Sequence, residues 1–383
     1  MTQTLIFLNG WLALMLPAFL YALLAITIGS TRYLCYPGLY MKTIYSEEHK
    51  LRDSKTELYG GQLVPPFECP VRAEYVIQEV KRRQMGDIIL PRRFDRSRIL
   101  RVHDADYLDF LETCWDDWQA AGYKGEAIAS CAPSRRLNRE VPPREIDGRI
   151  GYYCLASETS ISGGTWEAAY LSADIALTGA DLISTGQKSA FSLCRPPGHH
   201  AAQDMFGGYC FINNAAVAAQ AMLDNGASRV AILDVDFHHG NGTQSIFYDR
   251  SDVLFCSLHG DPMDAFPYFL GHDDELGAGQ GLGFNANYSL PPKTDYAAWA
   301  TALEDALKKI AGFDADALVV SLGVDTYEND PISFFRLKST DFIDYGKKIA
   351  SLDLPTLFVM EGGYAVENIG VNVVNVLQGF SDK

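Results

Sequence analysis

The sequence predicts an α/β fold, a central parallel sheet with helices on both faces, on three observations. Short apolar runs alternate with helical stretches along the second half of the chain. The runs are continuously apolar, as strands buried on both faces require. Four of them end abruptly in histidines, acids or a glycine–tyrosine turn, and open α/β sheets place their ligands at those carboxyl ends.

Residues 41–45 read as the first strand, followed by a polar, turn-rich loop at 46–66 that holds Gly60-Gly61 and Glu57. Helical spacing over 72–83 leads to a strand at 88–90 and a helix at 107–120. Residues 122–151 show no periodicity and carry several prolines with Arg135, Arg136, Arg139 and Arg144. An irregular stretch of this length inside a compact domain is commonly functional or interface-forming. Beyond it the alternation is regular. Helices are expected at 165–184, 213–225, 296–311, 341–351 and 368–378, and strands at 190–194, 229–235, 253–258, 317–322 and 356–360. Asn213 or Asn214 caps the second of these helices.

The 383 residues suit one large α/β domain. A net charge of −16 argues against nonspecific nucleic-acid binding and favours a cationic ligand. Eight scattered cysteines, with no CxxC pair, read as reduced core residues of a cytoplasmic protein, Cys194 and Cys210 included.

Leu5 to Gly29 carries no charge and is long enough to cross a bilayer. No basic region precedes it, which argues against a cleaved signal peptide. Two readings of residues 1–40 stand: an anchor tethering the protein to the inner membrane, with Arg32 and Lys42 on the cytoplasmic side, or an untranslated extension before a start at Met41. Residues 41–383 are then the folded domain, with 122–151 as an insertion loop.

The strand ends carry the chemistry. In Val230-Ala-Ile-Leu-Asp-Val-Asp-Phe-His-His-Gly-Asn-Gly242 the apolar run gives way to Asp234, Asp236 and His238 on one face. Buried polar groups there need a partner, either a divalent metal or hydrogen bonds among themselves. Asp325, after Leu322, supplies a third ligand or a helix cap. Asp236, His238 and Asp325 together leave open positions, as a catalytic metal requires. Asp234 reads as their support. His199-His200 follows the stiff Pro196-Pro197-Gly198 turn, and a base role suits adjacent histidines better than joint ligation. Asp234 and Asn241 are available to fix their tautomers. Tyr364, after Gly362-Gly363, is a core aromatic or a donor to an oxyanion. These parts describe metal-assisted amide hydrolysis.

Arg195-Pro-Pro-Gly-His-His200, Asp234-Val-Asp-Phe-His-His-Gly-Asn-Gly242, Gly323-Val-Asp325 and Glu361-Gly-Gly-Tyr364 resemble the zinc-dependent histone deacetylase family, and most of all its bacterial acetylpolyamine amidohydrolases, over about residues 41–380. Met41-Lys-Thr-Ile-Tyr-Ser-Glu looks like that family's N-terminus, which favours Met41 as the start. The resemblance implies the arginase–deacetylase fold and one catalytic zinc, with iron(II) the alternative occupant, at Asp236, His238 and Asp325. It implies His200 as general base then acid, paired with Asn241, and His199 as electrostatic support, paired with Asp234. Tyr364 would polarise the acetyl carbonyl, Tyr209 and Phe266 would wall a narrow tunnel, and a structural potassium would sit near Asp234, Asp236, His238, Ser257 and Leu258.

The same resemblance implies a small cationic acetylated amine as substrate, with Glu57, Asp147 and Glu158 near the mouth, and a homodimer formed through the 122–151 loop. Asp147 stands where the family has glutamate, which bears on chain-length preference. Three rival readings remain. A protein or peptide lysine deacetylase would share the chemistry behind an open entrance. An arginase-like ureohydrolase would use the acidic spacing of Ser321 to Pro331. A non-catalytic amine-binding protein would need a decayed site, whereas every catalytic residue type is retained.

Overall fold

The computed structural model describes residues 41–135 and 140–382. The apolar segment at 5–29, Arg136 and Arg139 lie outside the described residues. Among the described residues no helix is long and apolar enough to cross a membrane.

Eight parallel strands form one sheet. In spatial order they are β4 (Ile88–Ile89), β1 (Lys42–Ile44), β5 (Ser189–Ser192), β10 (Thr356–Met360), β9 (Ala317–Leu322), β6 (Val230–Asp234), β7 (Val253–Gly260) and β8 (Asn285–Leu290). Both faces are covered, because successive strand residues point to opposite layers. Ala190, Ile232, Val319 and Val359 pack with α2 (Ala105–Ala120), α4 (Thr165–Ser184) and α5 (Asn214–Asp224). Phe191, Leu233, Val320 and Phe358 pack with α1 (Val71–Arg82), α7 (Tyr296–Phe313), α8 (Ser339–Ala350) and α9 (Val366–Ser381). Each large apolar side chain buried this way contributes about 1.5–3 kcal/mol.

Asn213 is the N-cap of α5, its side chain accepting from the Ala216 amide at 2.9 Å. Five elements depart from the sequence expectation. The 46–66 loop contains a hairpin, β2 (Glu57–Tyr59) and β3 (Gln62–Val64), turning at Gly60-Gly61. The irregular 122–151 stretch contains α3 (Ile146–Tyr152). The glycine break after His239 opens a short helix, α6 (Asn241–Phe247). Strand β8 lies at the sheet edge with its last three residues half-buried, which erases the apolar run of a central strand.

The four strands whose ends carry chemistry, β5, β10, β9 and β6, are adjacent at the middle of the sheet. Their side chains therefore converge although they come from distant parts of the chain.

Candidate active site

Strand β6 ends at Asp234, and the chain leaves it through two Asx turns. Asp234 Oδ1 accepts from the Asp236 amide (3.1 Å), and Asp236 Oδ1 accepts from the His238 amide (2.9 Å). The other oxygens reach neighbouring strand ends. Asp236 Oδ2 accepts from the Gly362 amide beyond β10 at 2.7 Å. Asp325, after β9, accepts from the Phe237 amide at 2.7 Å. Gly362 must be glycine for this approach: a Cβ there would stand 2.5 Å from both the Asp236 and Asp325 carboxylates.

Asp236, His238 and Asp325 are buried, and their ligand atoms lie within 4.8 Å of one another. His238 Nδ1 stands 3.0 Å from Asp325 Oδ2 and 3.3 Å from Asp236 Oδ1. Burial pulls the His238 imidazole down, but the two carboxylates outweigh it and raise it to about 9. Burial and the charge of Asp236 push Asp325 up. A donor set that strains to hold a proton between two carboxylates is one that a divalent cation fits.

His199 and His200 leave β5 on a loop tied down at three points. The Gly198 and His199 amides donate to Glu361 Oε2 at 2.7 and 3.2 Å. Two amides in the first turn of α6, Gly242 and Thr243, donate to the His199 carbonyl. His199 Nδ1 meets Asp234 Oδ2 at 2.9 Å. Burial lowers the His199 imidazole, yet Asp234 and Asp236 outweigh it and raise it to about 10. His200 is drawn well below the usual imidazole range by burial and by the neighbouring His199 and His238. Its Nδ1 faces Asn241 Oδ1 at 2.6 Å. The His200 ring leaves room for no side chain at Gly208, whose Cβ would fall 2.2 Å from it.

These groups open into a cavity of about 350 Å³. His200, His238 and Tyr364 lie at its polar end, and Tyr209 and Phe266 line its walls. The Tyr364 hydroxyl makes no hydrogen bond among the described residues, and burial holds it protonated, well above the usual phenol range. Glu57 and Glu158 line the cavity, Glu57 buried within it rather than at its mouth and Glu158 half-buried, and both are partly committed. Glu57 accepts from the Tyr209 hydroxyl (2.7 Å) and the Phe67 amide (3.0 Å), and Glu158 from the Gly208 amide (2.8 Å). Asp147 does not line the cavity; its carboxylate takes the Ser130 hydroxyl at 2.9 Å. Asp264 does line it and was missed in the sequence. It is exposed, without a hydrogen-bonded or ionic partner for its carboxylate among the described residues, two positions before Phe266. That proximity was the available signal.

Ser257 and Leu258 are buried on β7, and Ser257 pairs with Asp234 in the β6–β7 register. The Ser257 hydroxyl lies between His239 Nδ1 (3.3 Å) and His259 Nδ1 (2.8 Å). Cys210 falls close to His199 and Glu361. Burial holds its thiol well above the ordinary range, so it remains a packing group. The last acid of the arginase-like spacing, Asp330, does not join the Asp236–His238–Asp325 cluster. It faces backbone amides of the Tyr364 turn.

Three buried arginines frame the site from below. Glu68 is shared by Arg195 (2.8 Å), Arg72 (3.0 Å) and Arg52 (3.8 Å). Arg195 also donates to the His49 and Arg52 carbonyls. Arg72 donates to the Glu361 and Gly363 carbonyls, both at 2.7 Å, and lies 4.7 Å over the Tyr364 ring.

Comparison with known proteins agrees with this geometry. A family model described as the histone deacetylase domain matches residues 66–380. The chain is 62% identical over 339 residues to the acetylpolyamine amidohydrolase of Mycoplana ramosa, covering 88% of this chain and 99% of that one. It is 55% identical to acetylpolyamine amidohydrolase 1 of Pseudomonas aeruginosa, covering 89% and 99%. The crystal structure of acetylpolyamine aminohydrolase from Burkholderia pseudomallei superposes with a TM-score of 0.84 at 39% identity, covering 89% and 98%. With its eight-stranded arginase–deacetylase sheet and its histidine, aspartate and tyrosine motifs at adjacent strand ends, the chain belongs to the histone deacetylase family of hydrolases.

Proposed function

We propose that this protein removes acetyl groups from acetylated polyamines and related small cationic amines. The carrying observation is the cavity. Among the described residues it is lined by three acids, Glu57, Glu158 and Asp264, and by no lysine or arginine. An amide enters at its polar end while a distal ammonium stays among carboxylates. The names of the relatives in Mycoplana and Pseudomonas support the same substrate class.

Asp236, His238 and Asp325 would hold zinc, or iron(II), which supplies Lewis acidity for the acetyl carbonyl and acidifies the attacking water. The other roles fall to the chain's own atoms. The His200 Nδ1–H donates to Asn241, so Nε2 carries the lone pair that takes a proton from water. That proton then goes to the leaving amine. His199, held cationic by Asp234, stabilises the negative charge that develops nearby. The free Tyr364 hydroxyl donates to the carbonyl oxygen as it becomes an oxyanion. A potassium ion near Asp234, Asp236, His238, Ser257 and Leu258 belongs to this reading. It is supported by the burial of Asp234 beside Ser257, where His199 is its one ionic partner among the described residues. So does a homodimer through residues 122–151, supported by the exposure of much of that segment.

The test is turnover by residues 41–383 of acetylputrescine, acetylcadaverine and acetylspermidine against an acetyl-lysine protein, with metal analysis and sedimentation of the same sample. Preference for the small amines with one tightly bound metal per chain supports the proposal. Turnover of the acetylated protein alone would replace it with a protein deacetylase, and two metals per chain with a ureohydrolase-like site.

A further inference from the structure

We propose that Asp330 is a positioning residue for Tyr364, fixing the peptide from which the phenol reaches the substrate carbonyl. This rests on the role given to Tyr364 above. Asp330 closes the Ser321–Pro331 stretch whose acidic spacing suggests a second metal, yet its oxygens face amides. Oδ2 accepts from the Tyr364 amide at 2.7 Å and from the Ala365 amide at 3.2 Å. Oδ1 accepts from the Ile332 amide at 3.1 Å. Ile332 lines the cavity, so one buried carboxylate ties the tyrosine turn to the pocket wall.

The second half of the device lies on the other side of the same peptide. Arg72 Nε donates to the Gly363 carbonyl at 2.7 Å, and Asp330 receives the Tyr364 N–H of that very peptide unit. A cation holds its oxygen and an anion holds its hydrogen. Turning the Gly363–Tyr364 peptide would break two charge-assisted hydrogen bonds, each roughly twice as strong as a neutral one. The turn needs such a hold, because two consecutive glycines give it little stiffness of its own. The peptide plane sets the direction of the Tyr364 Cα–Cβ bond, and so the place of the hydroxyl.

The test is a double-mutant cycle of Asp330→Ala and Tyr364→Phe on an acetylated amine, with a crystal structure of Asp330→Ala. Asp330→Ala should lower kcat by about 100-fold, the cost of a displacement near 1 Å, with KM changed much less. In the Tyr364→Phe background it should cost almost nothing further, since a missing hydroxyl cannot be misplaced. Asp330→Asn should recover part of the loss, because an amide oxygen still accepts from the Tyr364 N–H. The crystal structure should show the Gly363–Tyr364 peptide turned. Additive losses, or an unmoved peptide, overturn the proposal. If the alanine variant does not fold, Asp330→Asn enters the cycle in its place and is judged by the same additivity. The cycle runs on any amide the wild type cleaves, so failure to cleave acetylated amines counts against the substrate reading and leaves the Asp330 outcome separately readable.

Discussion

Asn241 is held by His200 at both ends of its amide. Its Nδ2 donates to the His200 backbone carbonyl at 3.3 Å, which turns Oδ1 onto the ring Nδ1 of the same residue at 2.6 Å. The orientation is therefore assigned by the hydrogen bonds, and it fixes the proton of His200 on Nδ1. An outer partner that sets the tautomer is usually worth about 10- to 100-fold in activity. Asn241→Ala should lower kcat/KM by that amount. Asn241→Asp should act differently: a carboxylate stabilises the imidazolium, raising the pKa of the base. The acidic limb of the pH–rate profile should then move to higher pH by about one unit or more. An unmoved limb in the aspartate variant would refute the pairing.

Asp264 brings an uncommitted carboxylate to the cavity rim. Asp264→Asn should raise KM for acetylputrescine by about threefold to fivefold, the worth of one exposed ion pair, with little change in kcat. A neutral acetamide of the same length should not notice the change, and added salt should narrow the difference. Equal effects on charged and neutral substrates would remove Asp264 from recognition.

Glu68 compensates three buried guanidinium groups, with distances of 2.8 to 3.8 Å. Burial raises its carboxyl, but Arg195, Arg72 and Arg52 outweigh this and hold it below the usual range. Glu68→Gln leaves those cations uncompensated and should cost about 3–5 kcal/mol of stability, read by urea denaturation. Because Arg195 opens the histidine loop and Arg72 grips the tyrosine turn, activity should fall at temperatures where the variant is still folded.

His103 spends both ring nitrogens in the neutral form. Nε2 accepts from the Asn213 amide at 2.9 Å, which leaves the proton on Nδ1 to be donated to the Gln203 carbonyl at 3.2 Å. Burial pulls the imidazole down to about 4. An unfolded histidine titrates near 6.5, so the unfolded chain takes up this proton first as pH falls. The contribution is complete above pH about 6.5 and is lost towards pH 4, a change of about 3 kcal/mol. His103→Gln should flatten the fall in stability over that window. An unchanged slope would show that other groups carry the acid sensitivity.

The parts of the site that were legible in the sequence are those where a buried strand runs straight into chemistry. Asp236, His238, Asp325, His199, His200 and Tyr364 each follow an apolar run that could only be a strand. The strands β5, β6, β9 and β10 were recognisable for the same reason. The hairpin carrying Glu57 was hidden because its residues are mostly exposed and show no alternation, although Gly60-Gly61 marked its turn. Helix α6 is too short to show a period, so Gly240-Asn241-Gly242 reads only as a break. Asp264 and Asp330 sit in loops, where spacing carries no information about what faces what. The acidic spacing of Ser321 to Pro331 suggests metal binding for the stretch as a whole, and only the distances from Asp330 to three amides give that residue its own role.

Strand β10 has a further consequence for how the enzyme comes into being. It is the last strand among the described residues and pairs with β5 on one side and β9 on the other. Without it the sheet is two separate pieces: β4, β1 and β5 carry the histidine loop, and β9, β6, β7 and β8 carry Asp236, His238 and Asp325. A growing polypeptide therefore holds His200 and the Asp236, His238 and Asp325 cluster on unjoined halves until β10 is made. Chains halted before Thr356 should show neither amidase activity nor tight metal uptake, and a halted chain active in either respect would refute this. The order of strands makes the joined site a late acquisition of the chain.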